Sequence, residues 1–186
     1  MKPRILMLWL AFTLLAAACA PVPAAAPVTE LNPTATDSAA KPAAPAAAPQ
    51  MDVFAGRMIL QLEGYGFLCS QPEAEGNQTL RRCELETDEY KFTVNLRGSP
   101  AESINHIEAI GFYYGELEDY SDLTAVIFGL ITSTASNSEE ARLWVQKSIP
   151  EVQGVGDEAL NTFVGISFHI YALPSMQVLE IGSLQD

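Results

Sequence analysis

Basic residues are scarce in this chain: ten Lys and Arg stand against 23 Asp and Glu, a formal net charge of −13. Such a field repels phosphate backbones, which sets nucleic acid aside as a partner. It also repels anionic headgroups, so a folded part should stand off a membrane surface rather than lie on it. Acidic surfaces also simply keep proteins soluble, a reading that needs no ligand. Histidine occurs only at His106 and His169, and neither an H-E-x-x-H nor a G-x-S-x-G arrangement exists. The three cysteines include no C-x-x-C pair, the commonest metal and redox spacing. Gly154-Val155-Gly156 lacks the third glycine and the preceding strand that phosphate binding needs. Long apolar runs are missing too. Ile5 to Ala18, broken only by Thr13, is too short to span a bilayer comfortably.

Lys2 and Arg4 precede that run, and Ala16-Ala17-Ala18 places small residues directly before Cys19. A charged start, a short apolar stretch and small residues make a signal peptide over residues 1–18. The cysteine that follows resembles the lipobox of bacterial lipoproteins, with Ala16 three positions before it and Leu15 one further back. The resemblance implies a diacylglycerol on the Cys19 sulfur, palmitate-type acylation, and a mature chain that begins there. It places the protein on the extracytoplasmic face of a bacterial cell membrane, held by that lipid. An ordinary signal peptide cut nearby, or an uncleaved anchor, is the alternative. Removal of residues 1–18 takes away two basic residues and no acid, so the net charge goes from −13 to −15.

Residues 20–50 contain twelve Ala and seven Pro, with no Gly and no aromatic residue. Alanine alone would favour helix, but the spread of prolines interrupts every turn. The expectation for residues 19–50 is a lipid-anchored, extended, semi-rigid spacer of up to about 3.1 Å per residue.

Residues 51–186 carry 21 acids against seven Lys and Arg and suit one globular domain with one core. Met51, Phe54, Ala55, Met58, Ile59, Leu62 and Tyr65 recur at helical spacing, with Asp52 as N-cap and Gly64 and Gly66 as stops. Phe67–Gln71 and Gln78–Glu86 read as strands around the turn-rich segment 72–77. Pairing them so that Cys69 faces Cys83 also sets Phe67 opposite Leu85, all on one face. With Cys19 assigned to lipid, the two remaining cysteines of an exported protein are expected to form a disulfide. A tight turn at Thr87-Asp88 then puts Leu85 opposite Tyr90 and Cys83 opposite Phe92. Tyr90 to Arg97 alternates cleanly, and Ile104–Tyr114 reads as a further strand with a bulge.

Leu123–Thr134 fits a helix capped by Ser121 or Asp122, with a buried strand over Ala125–Ile131 as the alternative. Asn137-Ser138-Glu139-Glu140 starts another helix that Pro150 ends. Val164, Ile166, Phe168 and Ile170 alternate into a final hairpin turning at Pro174-Ser175, with Ile170 opposite Leu179 and Phe168 opposite Ile181. These elements make an α+β fold: an antiparallel sheet with helices near 52–63, 122–134 and 138–149 packed on one face, stapled by one disulfide. The open face carries Lys91, Thr93, Asn95, Arg97 and His169.

Two constellations could carry chemistry. The acidic run Glu116, Glu118, Asp119 and Asp122 offers oxygens to a hard cation, but without the spacing of an EF-hand loop; a solvated loop is the plainer expectation. His169 falls opposite Glu180 in the last hairpin, the minimum for general acid–base work or simply a cross-strand polar pair. Trp144, Tyr113, Tyr114 and Tyr120 could edge an aromatic binding groove; the plainer expectation is that Trp144 packs its helix against the sheet and the tyrosines straddle core and surface. The run GVGDEAL, between a helix and the last hairpin, looks like a connection found in small exported lipoprotein and sensor-type domains. That likeness implies an α+β fold and a binding or sensing role, and it transfers no functional residue. The function expected is therefore a non-catalytic binding or sensing domain for a peptide, polymer or envelope protein, with no cofactor. The alternatives are a small envelope hydrolase using His169 and Glu180, or a cation-binding acidic loop.

Overall fold

The computed structural model describes Met51, residues 53–99 and residues 103–183. The expected signal peptide, lipid-bearing Cys19 and spacer lie outside the described residues. The described chain is an α+β fold in which one antiparallel sheet is covered on one face by three helices. In order come β1 (Val53–Phe54), α1 (Ala55–Gly64), β2 (Leu68–Cys69), β3 (Glu73–Glu75), β4 (Gln78–Glu86), β5 (Tyr90–Gly98) and β6 (Ser103–Tyr113). Then follow α2 (Ser121–Ser136), α3 (Glu139–Ser148), β7 (Glu158–Phe163), β8 (Ile166–Leu173) and β9 (Met176–Ser183). The sheet runs β2-β4-β5-β6-β9-β8-β7, with β1 added to β6 and β3 to β4.

Alternation along the long strands decides which face is covered. Phe92, Val94 and Leu96 on β5, Ile107 and Ala109 on β6, Leu179 and Ile181 on β9, and Phe168 and Ile170 on β8 are all buried. They join Met58 and Leu62 of α1, Phe128 and Ile131 of α2, and Val145 of α3 in one core. Trp144 lies 6.0 Å from Phe163 between ring centroids, which ties α3 to β7. Tyr113 is buried and stacks on Tyr120 at 5.1 Å, whereas Tyr114 is exposed.

The structure corrects several expectations. Helix α1 begins at Ala55 with Phe54 at its N-cap and no side-chain cap, so the cap is not at Asp52. Val53 instead pairs with Ile104, and that extended pairing delays the helix. Phe54 and Tyr65 are exposed and leave the apolar stripe to Met51, Ala55, Met58, Ile59 and Leu62. Residues 72–77 are not all turn: Glu73–Glu75 pairs with Gln78–Leu80 around Gly76-Asn77. The register slips by one residue between β2 and β3, where the Ser70 N–H donates to the Arg82 carbonyl and the Ser70 hydroxyl accepts from the Arg82 N–H.

The β4–β5 turn is centred on Asp88-Glu89 rather than Thr87-Asp88, so Leu85 faces Phe92 and Cys83 faces Val94. The Thr87 hydroxyl accepts from the Glu89 and Tyr90 N–H groups and so holds the turn one residue later. Moving the centre by one residue shifts partners by two, so every side chain keeps its face. The bulge expected in β6 is present: Arg97 pairs with His106 but Gly98 with Ile104. A Cβ on Gly98 would meet the Ser103 carbonyl oxygen at 2.0 Å, so only glycine allows this approach.

The helix reading of 123–134 holds, but neither Ser121 nor Asp122 caps it. A 3-10 turn at Leu117–Tyr120 runs directly into α2, and Thr124 Oγ1 donates to the Tyr120 carbonyl. Helix α3 starts as expected, with Ser138 Oγ accepting from the Ala141 N–H. The last hairpin has the expected register, Ile170 to Leu179 and Phe168 to Ile181. Strand β7 has no counterpart among the elements expected from the sequence. It pairs with β8 through a two-residue turn, Val164-Gly165, at φ +52° and +77°. Val164 is therefore an exposed turn residue, not the first of the alternating strand.

Candidate functional site

Facing away from the helices is a polar array built by register alone. One row crosses six strands as Arg82, Asn95, Glu108, Glu180, His169 and Leu160. Lys91, Thr93 and Arg97 occupy the same face, because they alternate with the buried residues of β5. Asn95 is the hinge of one half: its Oδ1 accepts from Arg82 Nε at 3.2 Å, and its Nδ2 donates to Glu108 Oε2 at 2.8 Å. Asn95 is buried at 7 % exposure, deep for an amide on an open sheet face, and these two bonds satisfy it. Arg97 reaches Glu108 at 3.7 Å and Glu75 at 3.1 Å. Lys91 sits between Glu86 at 3.1 Å and Glu84 at 3.3 Å, and hydrogen bonds to first Glu86 and then Glu84 raise its pKa.

The other half centres on Glu180. Tyr171 Oη donates to its Oε1 at 3.0 Å, and His169 Nδ1 lies 3.9 Å from its Oε2. Burial, reinforced by the bond to Glu180, pushes the Tyr171 phenol up to about 12. His169 is thus opposite Glu180 in register, but its shorter contact is Nε2 to Glu158 Oε2 at 3.1 Å. Glu158 belongs to β7 and escapes a sequence reading together with that strand. Glu108, directly opposite Glu180 on β6, escapes it because the apolar residues of Ile104–Tyr114 dominate that segment. The imidazole lies between two carboxylates on a water-facing surface, with Glu158 largely exposed. Such a layout suits recognition through charge and hydrogen bonds more than chemistry that needs water excluded.

The remaining sequence candidates fall elsewhere. Cys69 and Cys83 form a disulfide on β2 and β4, with Cα atoms 3.9 Å apart. Glu116 precedes the 3-10 turn, Glu118 and Asp119 lie in it, and Asp122 is in the first turn of α2. Among the described residues, no group of three or more His, Cys, Asp or Glu could hold a metal ion, so these four are not gathered into a site. Glu116 and Glu118 instead border an open hollow with Gln153 and Ser175. In the glycine-rich connection the Gly154 N–H donates to Asp157 Oδ2 at 2.7 Å, so the loop bonds its own acid. His106 sits on the open face between Arg97 and Gly182, without a carboxylate across from it. No helix among the described residues is long and apolar enough to cross a membrane. No protein-family model, no curated protein and no solved structure matches this chain.

Proposed function

We propose that this is a bacterial envelope lipoprotein, anchored through a lipid on Cys19 and facing outward from the cell membrane. Residues 20–50 act as the tether, and residues 51–186 act as a non-catalytic binding or sensing domain that uses the open sheet face. The charged start, the short apolar run and the small residues before Cys19 support export and lipidation. The Cys69–Cys83 disulfide supports an oxidising compartment. The observation that carries the binding role is the hydrogen-bonded array from Arg82 to Glu158, which presents fixed donors and acceptors across the whole face rather than converging them in a cleft.

Intact mass of material purified from membranes tests the anchor: an acylated chain starting at Cys19 is expected, and an unmodified thiol there refutes it. Cys19→Ala should shift the protein out of the detergent fraction. Cross-linking in cells should return a recurrent envelope partner, lost when Asn95 and Glu108 are replaced by alanine. A second reading, a small envelope hydrolase, rests on His169 between Glu158 and Glu180. It requires an activity that His169→Ala abolishes while folding is retained.

A further inference from the structure

The two edges of the sheet are finished differently. Beyond β4 the sheet ends in β2 and β3, strands of two and three residues with Pro72 between them. Short, interrupted strands blunt an edge against pairing. At the other end β7 runs six residues and, among the described residues, pairs only with β8. It contains no Pro, no Lys and no Arg.

The Val164-Gly165 turn fixes which backbone groups of β7 point outward. Its flanking pair, Phe163 and Ile166, is hydrogen-bonded in a two-residue hairpin, and alternate pairs follow. Asn161–Phe168 and Ala159–Ile170 are then the other bonded pairs, and Leu160 and Thr162 turn their amides away from β8. The Thr162 N–H agrees: it donates to its neighbour Asn161 Oδ1 at 2.8 Å, not to β8. Leu160, at the middle of the strand, presents its N–H and C=O outward beside a side chain that is 68 % exposed.

Charge selects the occupant. Strands β6, β7, β8 and β9 hold no Lys or Arg at all. Their open face carries Glu108, Glu158 and Glu180, while Arg82, Lys91 and Arg97 all sit on β4 and β5. A second copy of this chain would bring 21 acids and seven basic residues from its own residues 51–186 against the same field. The segment 20–50 carries one basic residue, Lys41, against Glu30 and Asp37, so it does not supply the basic charge this face calls for.

We propose that β7 is a docking edge for an extended basic peptide segment, which adds to the sheet as a further antiparallel strand. Its backbone pairs with Leu160 and Thr162, and the Asn161 amide swings off the Thr162 N–H to admit it. Every second side chain of the peptide falls on the open face, where one Lys or Arg meets Glu158 and the aliphatic stem of the next lies against Leu160, while the apolar side chains between them fall on the covered face. This deepens, and rests on, the reading of the domain as a binding module.

The test titrates the full chain in detergent with a capped hexapeptide alternating lysine and valine, against its glutamate–valine counterpart. The expected result is shift changes and slowed exchange at the amides of residues 158–163, with affinity that falls as salt rises. Leu160→Pro, whose N–H faces outward and leaves the β8 ladder intact, should weaken binding about ten-fold or more. Leu160→Lys, which keeps the N–H, should weaken the lysine peptide through repulsion, so a folding failure of the proline variant leaves the test in place. Equal affinity for the glutamate peptide, no change at residues 158–163, or indifference to both variants overturns the proposal. Self-association abolished by Leu160→Pro also overturns it and assigns the edge to a second copy. A cellular partner captured equally by both variants sinks the edge but leaves the binding-module reading standing.

Discussion

Gln177 on β9 and Gln153 beyond α3 donate to one acceptor, the main-chain carbonyl of Ile149, at 3.0 and 2.9 Å. Gln177 also reaches the Val152 carbonyl at 2.6 Å and is fully buried on the helix-facing side of the sheet. It supplements the Val152 N–H at the Ile149 carbonyl and supplies a donor to the Val152 carbonyl, just past the 3-10 turn at Ile149–Glu151. Gln177→Leu keeps the volume but leaves the Val152 carbonyl without this donor, at a cost of about 1–3 kcal/mol. Urea unfolding should show a lower midpoint with an unchanged slope. An unchanged midpoint would mean that the turn finds its donors elsewhere.

Val164 is a β-branched residue in the left-handed region, at φ +52°, and it is 80 % exposed. Its turn geometry is the one that Asn-Gly adopts without steric conflict. Val164→Asn should therefore stabilise the fold by about 1 kcal/mol through relief of backbone strain alone. The check is thermal unfolding, and a lower midpoint refutes the steric account.

The Cys69–Cys83 bridge closes a sequence separation of 14. Chain entropy alone assigns a loop of that size about 3 kcal/mol. The measured effect should be smaller, because β2, β3 and β4 already hold the loop in a ladder. Reductant, and the double variant Cys69→Ser with Cys83→Ser, should lower the urea midpoint equally. A difference between the two would point to a role for the thiols beyond the cross-link.

Tyr171 gives an alkaline signature. Its phenol moves from 10.0 to about 12, by burial first and then by its bond to Glu180. Folding therefore favours the protonated form. That contribution is complete below pH 10 and is lost as pH rises from about 10 to about 12. Tyr171→Phe should flatten this part of the stability–pH curve and remove one late step from the phenolate absorbance titration. Tyr113, which burial also pushes far up, remains as the internal reference.

Most strands are legible in the sequence because period-two alternation is strong where one face is buried. Tyr90 to Arg97 and Ile166 to Ile170 behave this way, and the pairing of Cys69 with Cys83 follows from the face they share. Turn centres are less legible. Nothing in Glu86-Thr87-Asp88-Glu89 distinguishes two adjacent centres until the Thr87 hydroxyl is seen to accept from Glu89 and Tyr90. Strand β7 is hidden for a different reason. Its outward positions hold Glu158, Leu160 and Thr162, and its covered ones Ala159, Asn161 and Phe163, so apolar residues fall on both faces and alternation vanishes. Losing β7 also loses Glu158, the nearest carboxylate to His169. The Val164-Gly165 turn gives no warning, since valine is a poor marker of left-handed backbone.

The entry of the chain into the domain has a mechanical consequence. Residues 53 and 54 pair with Ile104 and Ser103 on β6, a strand in the interior of the sheet, and Met51 is fully buried. In the proposed lipoprotein, a pull through residues 20–50 would thus enter at an interior strand of the sheet rather than at its outermost one, β7.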